Sequence, residues 1–223
     1  MKFLCLSIVS VVILSSCAPG RFIEPLNKKQ LAVGVDLGGP IIGFGDKSIP
    51  VPLSSVEVGY GLDTNLTIYG GIHTTALMFG NFQIDMGVTY KVLSQNKFIP
   101  NVSINPGFNY VQSFSEGVYK FWPTFDANAY WNYGRKSSYV YFGLNNMFEL
   151  SKNMALNQPQ KQRWLLSPQV GHVLKGRNQQ FQFITEFKFI GLRQENTYSF
   201  IPWKSVFGKY GATGVYLGFR YLF

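Results

Sequence analysis

The sequence predicts an all-β fold: a transmembrane, up-and-down antiparallel β-barrel of about ten strands. Three observations predict it. Apolar residues recur with period two in about ten segments, short and long connections alternate between those segments, and charged residues are confined to one of their two faces. Composition agrees. Of 223 residues, 17% are aromatic, with 20 Phe and 13 Tyr beside 23 Gly, a mixture that suits pleated strands and tight turns and weakens helices. Apolar residues at 46% against 14% charged exclude a disordered chain. Past the N-terminus no apolar run reaches about 18 residues, which excludes a bundle of spanning helices.

The strands are expected at 30–38, 53–60, 65–74, 81–92, 98–111, 121–133, 138–149, 163–173, 179–192 and 211–223. Four connections are short: Gly61 to Thr64, Leu93 to Lys97, Gly134 to Ser137 and Leu174 to Asn178. The other five, around 39–52, 75–80, 112–120, 150–162 and 194–210, are mostly much longer. Pro106 and Pro168 fall inside expected strands and call for bulges, because a closed barrel offers no edge to a residue without an N–H. Pro100 and Pro123 sit nearer strand ends. Strand 163–173 is the weakest of the set, and a barrel of eight strands is the alternative.

One parity carries Val33, Val35, Leu37, Val56, Val58, Ile68, Phe142, Phe187, Leu217 and their alternates, with no charge among them. The other carries Asp36, Glu57, Asp85, Lys91, Asp126, Glu149, Glu186, Lys188 and Arg220 amid Ser, Thr, Asn and Gln. Alternation alone leaves open which face is inside, since a lipocalin-like barrel turns its apolar face inward. The bulk and uniform filling of the apolar face favour lipid, where an Arg or Lys at mid-depth would cost about 2–4 kcal/mol. Tyr60, Tyr90, Trp131, Tyr133, Trp164 and Tyr221 lie near strand ends, at the level of an interfacial aromatic girdle.

The N-terminus reads as an export signal. Met1-Lys2 precedes an apolar stretch from Phe3 to Leu14, too short for a stable span, followed by Ser15-Ser16-Cys17. The tetrad Leu14-Ser15-Ser16-Cys17 resembles the bacterial lipobox. That resemblance implies a signal peptide over 1–16 and an acyl-modified, palmitate-type lipid on Cys17. Residues 17–29, with Pro19, Gly20 and Pro25, are then expected as a tether, and 30–223 as the barrel. Cys17 would be the sole mature cysteine, so no intrachain disulfide forms.

The last strand, Gly214-Val-Tyr-Leu-Gly-Phe-Arg-Tyr-Leu-Phe223, alternates and stops on an aromatic residue. Phe223, Tyr221 and Phe219 resemble the C-terminal signature of bacterial outer-membrane barrels. The resemblance implies that the terminal strand is read by the barrel-assembly machinery and closes against the first strand. It also implies a place in the outer membrane, surrounded by its lipid, with short turns and the lipid-anchored N-terminus on the periplasmic side.

Little chemistry is legible. Two His and one mature Cys, without HExxH or CxxC spacing, give no metal site and no cofactor is expected. The Gly-rich stretch Gly38 to Gly45 lacks the GK[ST] ending of a phosphate loop. Basic residues are scattered despite a net charge of +9, so no nucleic-acid partner is expected. Lys152, Lys161, Arg163, Lys204 and Lys209 are expected on external loops. His73 lies diagonal to Asp85, at roughly 7–8 Å, beyond a direct hydrogen bond without side-chain reach, and no Ser motif accompanies it. His172 falls on the lipid parity. Glu57, Asp85, Asp126, Glu186, Lys91, Lys188 and Arg220 are candidate lumen charges, expected to pair and plug a narrow barrel. The function read from this is non-enzymatic: a barrel lipoprotein acting structurally or as accessory subunit of a larger envelope complex. The alternatives are a narrow pore or small-solute barrel, and a lipid or peptide hydrolase.

Overall fold

The computed structural model describes residues 20–151, 162–196 and 203–223; the signal segment and Cys17 lie outside them. Eleven strands run in order: β1 (Leu31–Phe44), β2 (Lys47–Pro50), β3 (Leu53–Asp63), β4 (Leu66–His73), β5 (Asn81–Leu93), β6 (Asn101–Ser113), β7 (Tyr119–Tyr133), β8 (Ser138–Phe148), β9 (Trp164–Lys175), β10 (Phe181–Glu195) and β11 (Tyr210–Leu222). Ten of them close an antiparallel barrel in sequence order, because β11 pairs with β1 from Ala32↔Leu222 to Pro40↔Gly214. The backbone N–H of Phe223 donates to the carbonyl of Leu31 at 2.8 Å and finishes that seam. Closure leaves no strand edge to desolvate in lipid.

The remaining strand, β2, is absent from the sequence reading. It pairs back on the end of β1 as a hairpin, Ile41↔Pro50 to Phe44↔Lys47, so the stretch expected as a loop at 39–52 extends the wall instead. A single helical turn, α1 (Thr74–Met78), occupies the β4–β5 connection. It is held to the barrel by Ser54, whose N–H donates to Thr75 Oγ1 at 2.8 Å.

The prolines are accommodated without the bulges expected of them. At Pro106 the β5–β6 ladder is interrupted between the Gly87↔Gly107 and Tyr90↔Ile104 pairs, while the β7 side of the strand stays in register. At Pro168 the β9–β10 ladder has already ended at Gln169↔Lys188, and the N–H of Gly191 turns to Ser167 Oγ at 3.1 Å. Each proline is placed where its missing donor has no carbonyl to answer.

Side-chain orientation settles the face question. Phe142 is 62% exposed, Leu37 51% and Phe187 49%, whereas Glu57 is 1% and Arg220 2% exposed. The apolar rows face outward and the charged rows inward, as a barrel immersed in lipid requires. His172 also faces outward, where its Nε2 meets the Tyr133 hydroxyl at 2.5 Å and the two rings stack. The start of β1, the end of β11 and the connections at 64–65, 94–100, 134–137 and 176–180 share one end. The opposite end carries the β1–β3 hairpin, α1 and the connections 114–118, 149–163 and 196–209. The connection 114–118 is as tight as those of the short-turn end.

Candidate functional site

The lumen is occupied by the chain's own N-terminal segment. Residues 20–29, expected as part of a tether, instead thread the barrel before β1 begins, with 20–26 inside it and 27–29 emerging exposed at its mouth. Phe22, Ile23 and Leu26 are buried at 1%, 3% and 4% exposure. Ile23 packs among Tyr130, Tyr139, Tyr141, Val173 and Ile184, while Phe22 and Leu26 pack with Ala32 and Leu222. Burial in the lumen takes these apolar side chains out of water.

The backbone of the segment is held by the polar inner face. The carbonyl of Phe22 accepts from Thr89 Oγ1 at 2.6 Å and from Asn105 Nδ2 at 2.8 Å. The carbonyl of Ile23 accepts from Ser103 Oγ at 2.6 Å, and the Leu26 N–H donates to Thr67 Oγ1 at 2.7 Å. Such partners meet the requirement that backbone polar groups away from bulk water be paired. Room for the segment comes from Gly59, where an added Cβ would lie 2.5 Å from the Phe22 ring.

Charge fixes the register of the plug. The Arg21 guanidinium lies 2.6 Å from Asp126 Oδ2 and 2.6 Å from Glu186 Oε2, and the Tyr141 hydroxyl donates to the same Glu186 oxygen at 2.6 Å. Arg220 Nε donates to Glu57 Oε1, and Arg220 Nη2 donates to the carbonyl of Arg21 at 2.7 Å. The Arg220 guanidinium also stacks over the Phe22 ring at 4.1 Å. The Glu57–Arg220 pair bridges across β1 at Gly34, where a Cβ would meet both side chains. Lower in the barrel, Lys175 Nζ contacts Glu24 Oε2 at 2.5 Å, and Asn132 Nδ2 donates to Glu24 Oε1 at 3.1 Å.

The candidate lumen charges therefore face inward, but they do not all pair with one another. Asp126 and Glu186 are answered by Arg21, which sequence reasoning assigned to the tether. Lys91 and Lys188 form no ion pair among the described residues. Neither oxygen of buried Asp36 accepts a hydrogen bond among the described residues. The signal that could have revealed the plug was the count on the polar face of the expected strands: six acids, Asp36, Glu57, Asp85, Asp126, Glu149 and Glu186, against three bases, Lys91, Lys188 and Arg220. A buried excess of one sign calls for a counter-charge from elsewhere.

His73 and Asp85 are closer than expected. The His73 Nε2 to Asp85 Oδ2 distance is 2.5 Å, because the two long side chains lean toward each other across the diagonal, and Asn109 Nδ2 donates to the other Asp85 oxygen. Ser55 faces His73 in the β3–β4 register, and its buried Oγ has no partner among the described residues. His73 and Ser55 are each 3% exposed, so this polar group offers no surface to a lipid or peptide substrate. The cavity lined by Arg21, Asp85, Asn109, Asp126 and Lys188 measures about 50 Å³, room for a few waters and too small for a sugar-sized solute. Among the described residues no group of His, Cys, Asp and Glu is placed to hold a metal.

No protein-family model and no curated protein sequence matches this chain. Solved structures similar to it are barrels. The translocator domain of the autotransporter NalP from Neisseria meningitidis aligns with TM-score 0.49 and 7% identity over 86% of this chain and 87% of its own. The NanC porin aligns with TM-score 0.45 and 9% identity over 86% and 98%. The outer membrane protein OprG from Pseudomonas aeruginosa aligns with TM-score 0.33 and 12% identity over 91% and 99%.

Proposed function

We propose that the protein is a non-enzymatic lipoprotein barrel of the bacterial outer membrane, sealed by its own N-terminal segment and serving as a structural or accessory subunit of an envelope complex. The observation that carries this is the clamping of residues 21–26 through the lumen by Arg21, Phe22 and Ile23. A barrel of ten strands has little interior to begin with, and this one spends it on an internal polypeptide. The outward apolar rows, the closed seam and the terminal Phe223 support the outer membrane. The lipobox-like Leu14 to Cys17 supports acylation at Cys17, and the short-turn end, with the start of β1, is assigned to the periplasm.

Planar bilayers test the seal: the intact protein is expected to give no openings, while removal of residues 18–26 opens a passive conductance. Steady conductance from the intact protein would favour the pore instead. Labelled palmitate incorporated into the wild type and absent from Cys17→Ser checks the anchor. Isolation from native membranes in mild detergent is expected to yield a stoichiometric partner; repeated recovery of a bare monomer overturns the accessory role.

A further inference from the structure

The two ends of the barrel differ in charge. At the short-turn end six exposed cations, Lys28, Lys29, Lys97, Arg135, Lys136 and Arg177, come from four separate stretches of chain. The acidic side chains there are Asp63 and Glu24, and Glu24 is already neutralised by Lys175. At the long-loop end the signs are interspersed among the described residues: Lys47, Lys120, Arg163, Arg193, Lys204 and Lys209 stand among Asp46, Glu116, Glu149 and Glu195, with Glu149 on Lys120 and Glu195 on Lys209.

The cations surround an opening. The segment from Glu24 to Lys29 crosses the mouth, since Glu24 is held by Asn132 on β7 and Lys175 on β9 while the Lys29 N–H donates to Gly61 on β3 at 2.7 Å. Beside that crossing lies a polar pocket of about 380 Å³, lined by Asn27, Gln30, Asn178, Gln179 and Gln182 among others. Lys28, Lys29 and Arg177 adjoin it in sequence. Side-chain amides both donate and accept, so the pocket suits sugar hydroxyls and peptide amides, and its rim suits carboxylates. Lys29 and Lys97 hold positive φ of 66° and 52°, where glycine would be less costly, and so keep cationic side chains on tight turns. A lipid leaflet would touch the perimeter of the barrel, whereas Lys28 and Lys29 stand on the segment that spans its mouth.

We propose that this end docks a carboxylate-bearing polymer of sugars and short peptides, the chemistry of the peptidoglycan wall. The proposal rests on the periplasmic assignment of the short turns. Several weak charge contacts on one polymer reinforce one another, so binding is multivalent and strongly salt-dependent.

The test is co-sedimentation of the full-length mature protein, in non-ionic detergent, with purified peptidoglycan sacculi. Wild type is expected to pellet at low salt, with retention falling about tenfold near 0.5 M NaCl as screening shortens the reach of each charge. Lys28→Glu/Lys29→Glu/Arg177→Glu should lose binding, as should sacculi whose carboxylates have been amidated. Lys204→Glu/Lys209→Glu at the other end should bind as wild type does. Heat-dependent gel mobility confirms that each variant is folded. Binding that survives both the triple reversal and amidation overturns the proposal. So does capture by phosphatidylglycerol vesicles in place of sacculi, which would mark a lipid surface. Labelling of Lys136→Cys in intact cells tests sidedness separately: reaction at the cell surface would overturn the orientation even if sacculi bind in vitro.

Discussion

Arg21 is the residue on which the interior turns. It answers two acids from strands three apart in the wall, Asp126 on β7 and Glu186 on β10, each at 2.6 Å. Arg21→Ala leaves both acids buried without their cation, a change of the kind that costs about 3–5 kcal/mol. A fall in the urea midpoint, together with bilayer openings, is the expected outcome; a variant as stable and silent as wild type would remove Arg21 from this role. Asp36 poses the reverse case, because its carboxylate is buried with no hydrogen-bond donor among the described residues. Asp36→Asn, which removes the buried charge, is expected to raise the urea midpoint in the same assay, and a fall would show that the carboxylate is needed there. Glu149 lies just beyond β8. Burial alone would raise its pKa, but hydrogen bonds from Trp122 Nε1 at 2.8 Å and the Ser151 N–H at 2.8 Å, with Lys120 nearby, hold it below the usual carboxylate range. A depressed folded-state pKa means stability present above the unfolded value, near 4.3, and lost as pH falls through the folded one. Acid titration of Trp122 fluorescence should therefore show this contact persisting as pH falls through the ordinary glutamate range, about 4.3, and released only at lower pH.

At the level of elements, the strands were legible because lipid enforces what a soluble core merely encourages. Each expected strand overlaps one observed, and β9, the weakest expectation, is a full wall strand from Trp164 to Lys175. Period two survives even at Pro106 and Pro168, since a missing N–H disturbs a ladder without changing which way the side chains point. The hairpin strand β2 was not legible because all four of its residues are exposed, and a strand that buries no face leaves no alternation to read. Helix α1 was hidden by its single turn, too short for a 3.6-residue period to repeat. The His73–Asp85 contact was missed because backbone spacing understates what two long side chains can span. The outward rows remain open to a direct test. Phe187→Arg, which places a cation at mid-height on β10, is expected to lose about 2–4 kcal/mol in folding into lipid vesicles. An equal folding yield and urea midpoint would contradict a lipid-facing position.

For the molecule as a whole, the wall and its contents are joined but separately encoded. Pattern encodes the wall, and that is why it could be read. The contents are encoded by ten residues with no period: a lone arginine, a few apolar side chains, and carbonyls whose partners lie 80 or more positions away, as in Ser103 to Ile23 and Asn105 to Phe22. Only the imbalance of acids over bases on the inner face hinted at them. Their direction of travel has a further effect. Between Arg21, beside Asp126 and Glu186, and the first residue of β1, the chain uses nine residues to leave the interior. Cys17 stands three residues beyond Gly20, a reach of at most about 11 Å. The acyl anchor proposed for Cys17 would thus share one short leash with Arg21 and with Ile23, which is seated among the tyrosines. Engineered cysteines at Ile23 and Ser103 should therefore cross-link as readily in the mature wild-type background as with Cys17→Ser, and a cross-link lost only when Cys17 is present would overturn a barrel that is at once anchored and stoppered.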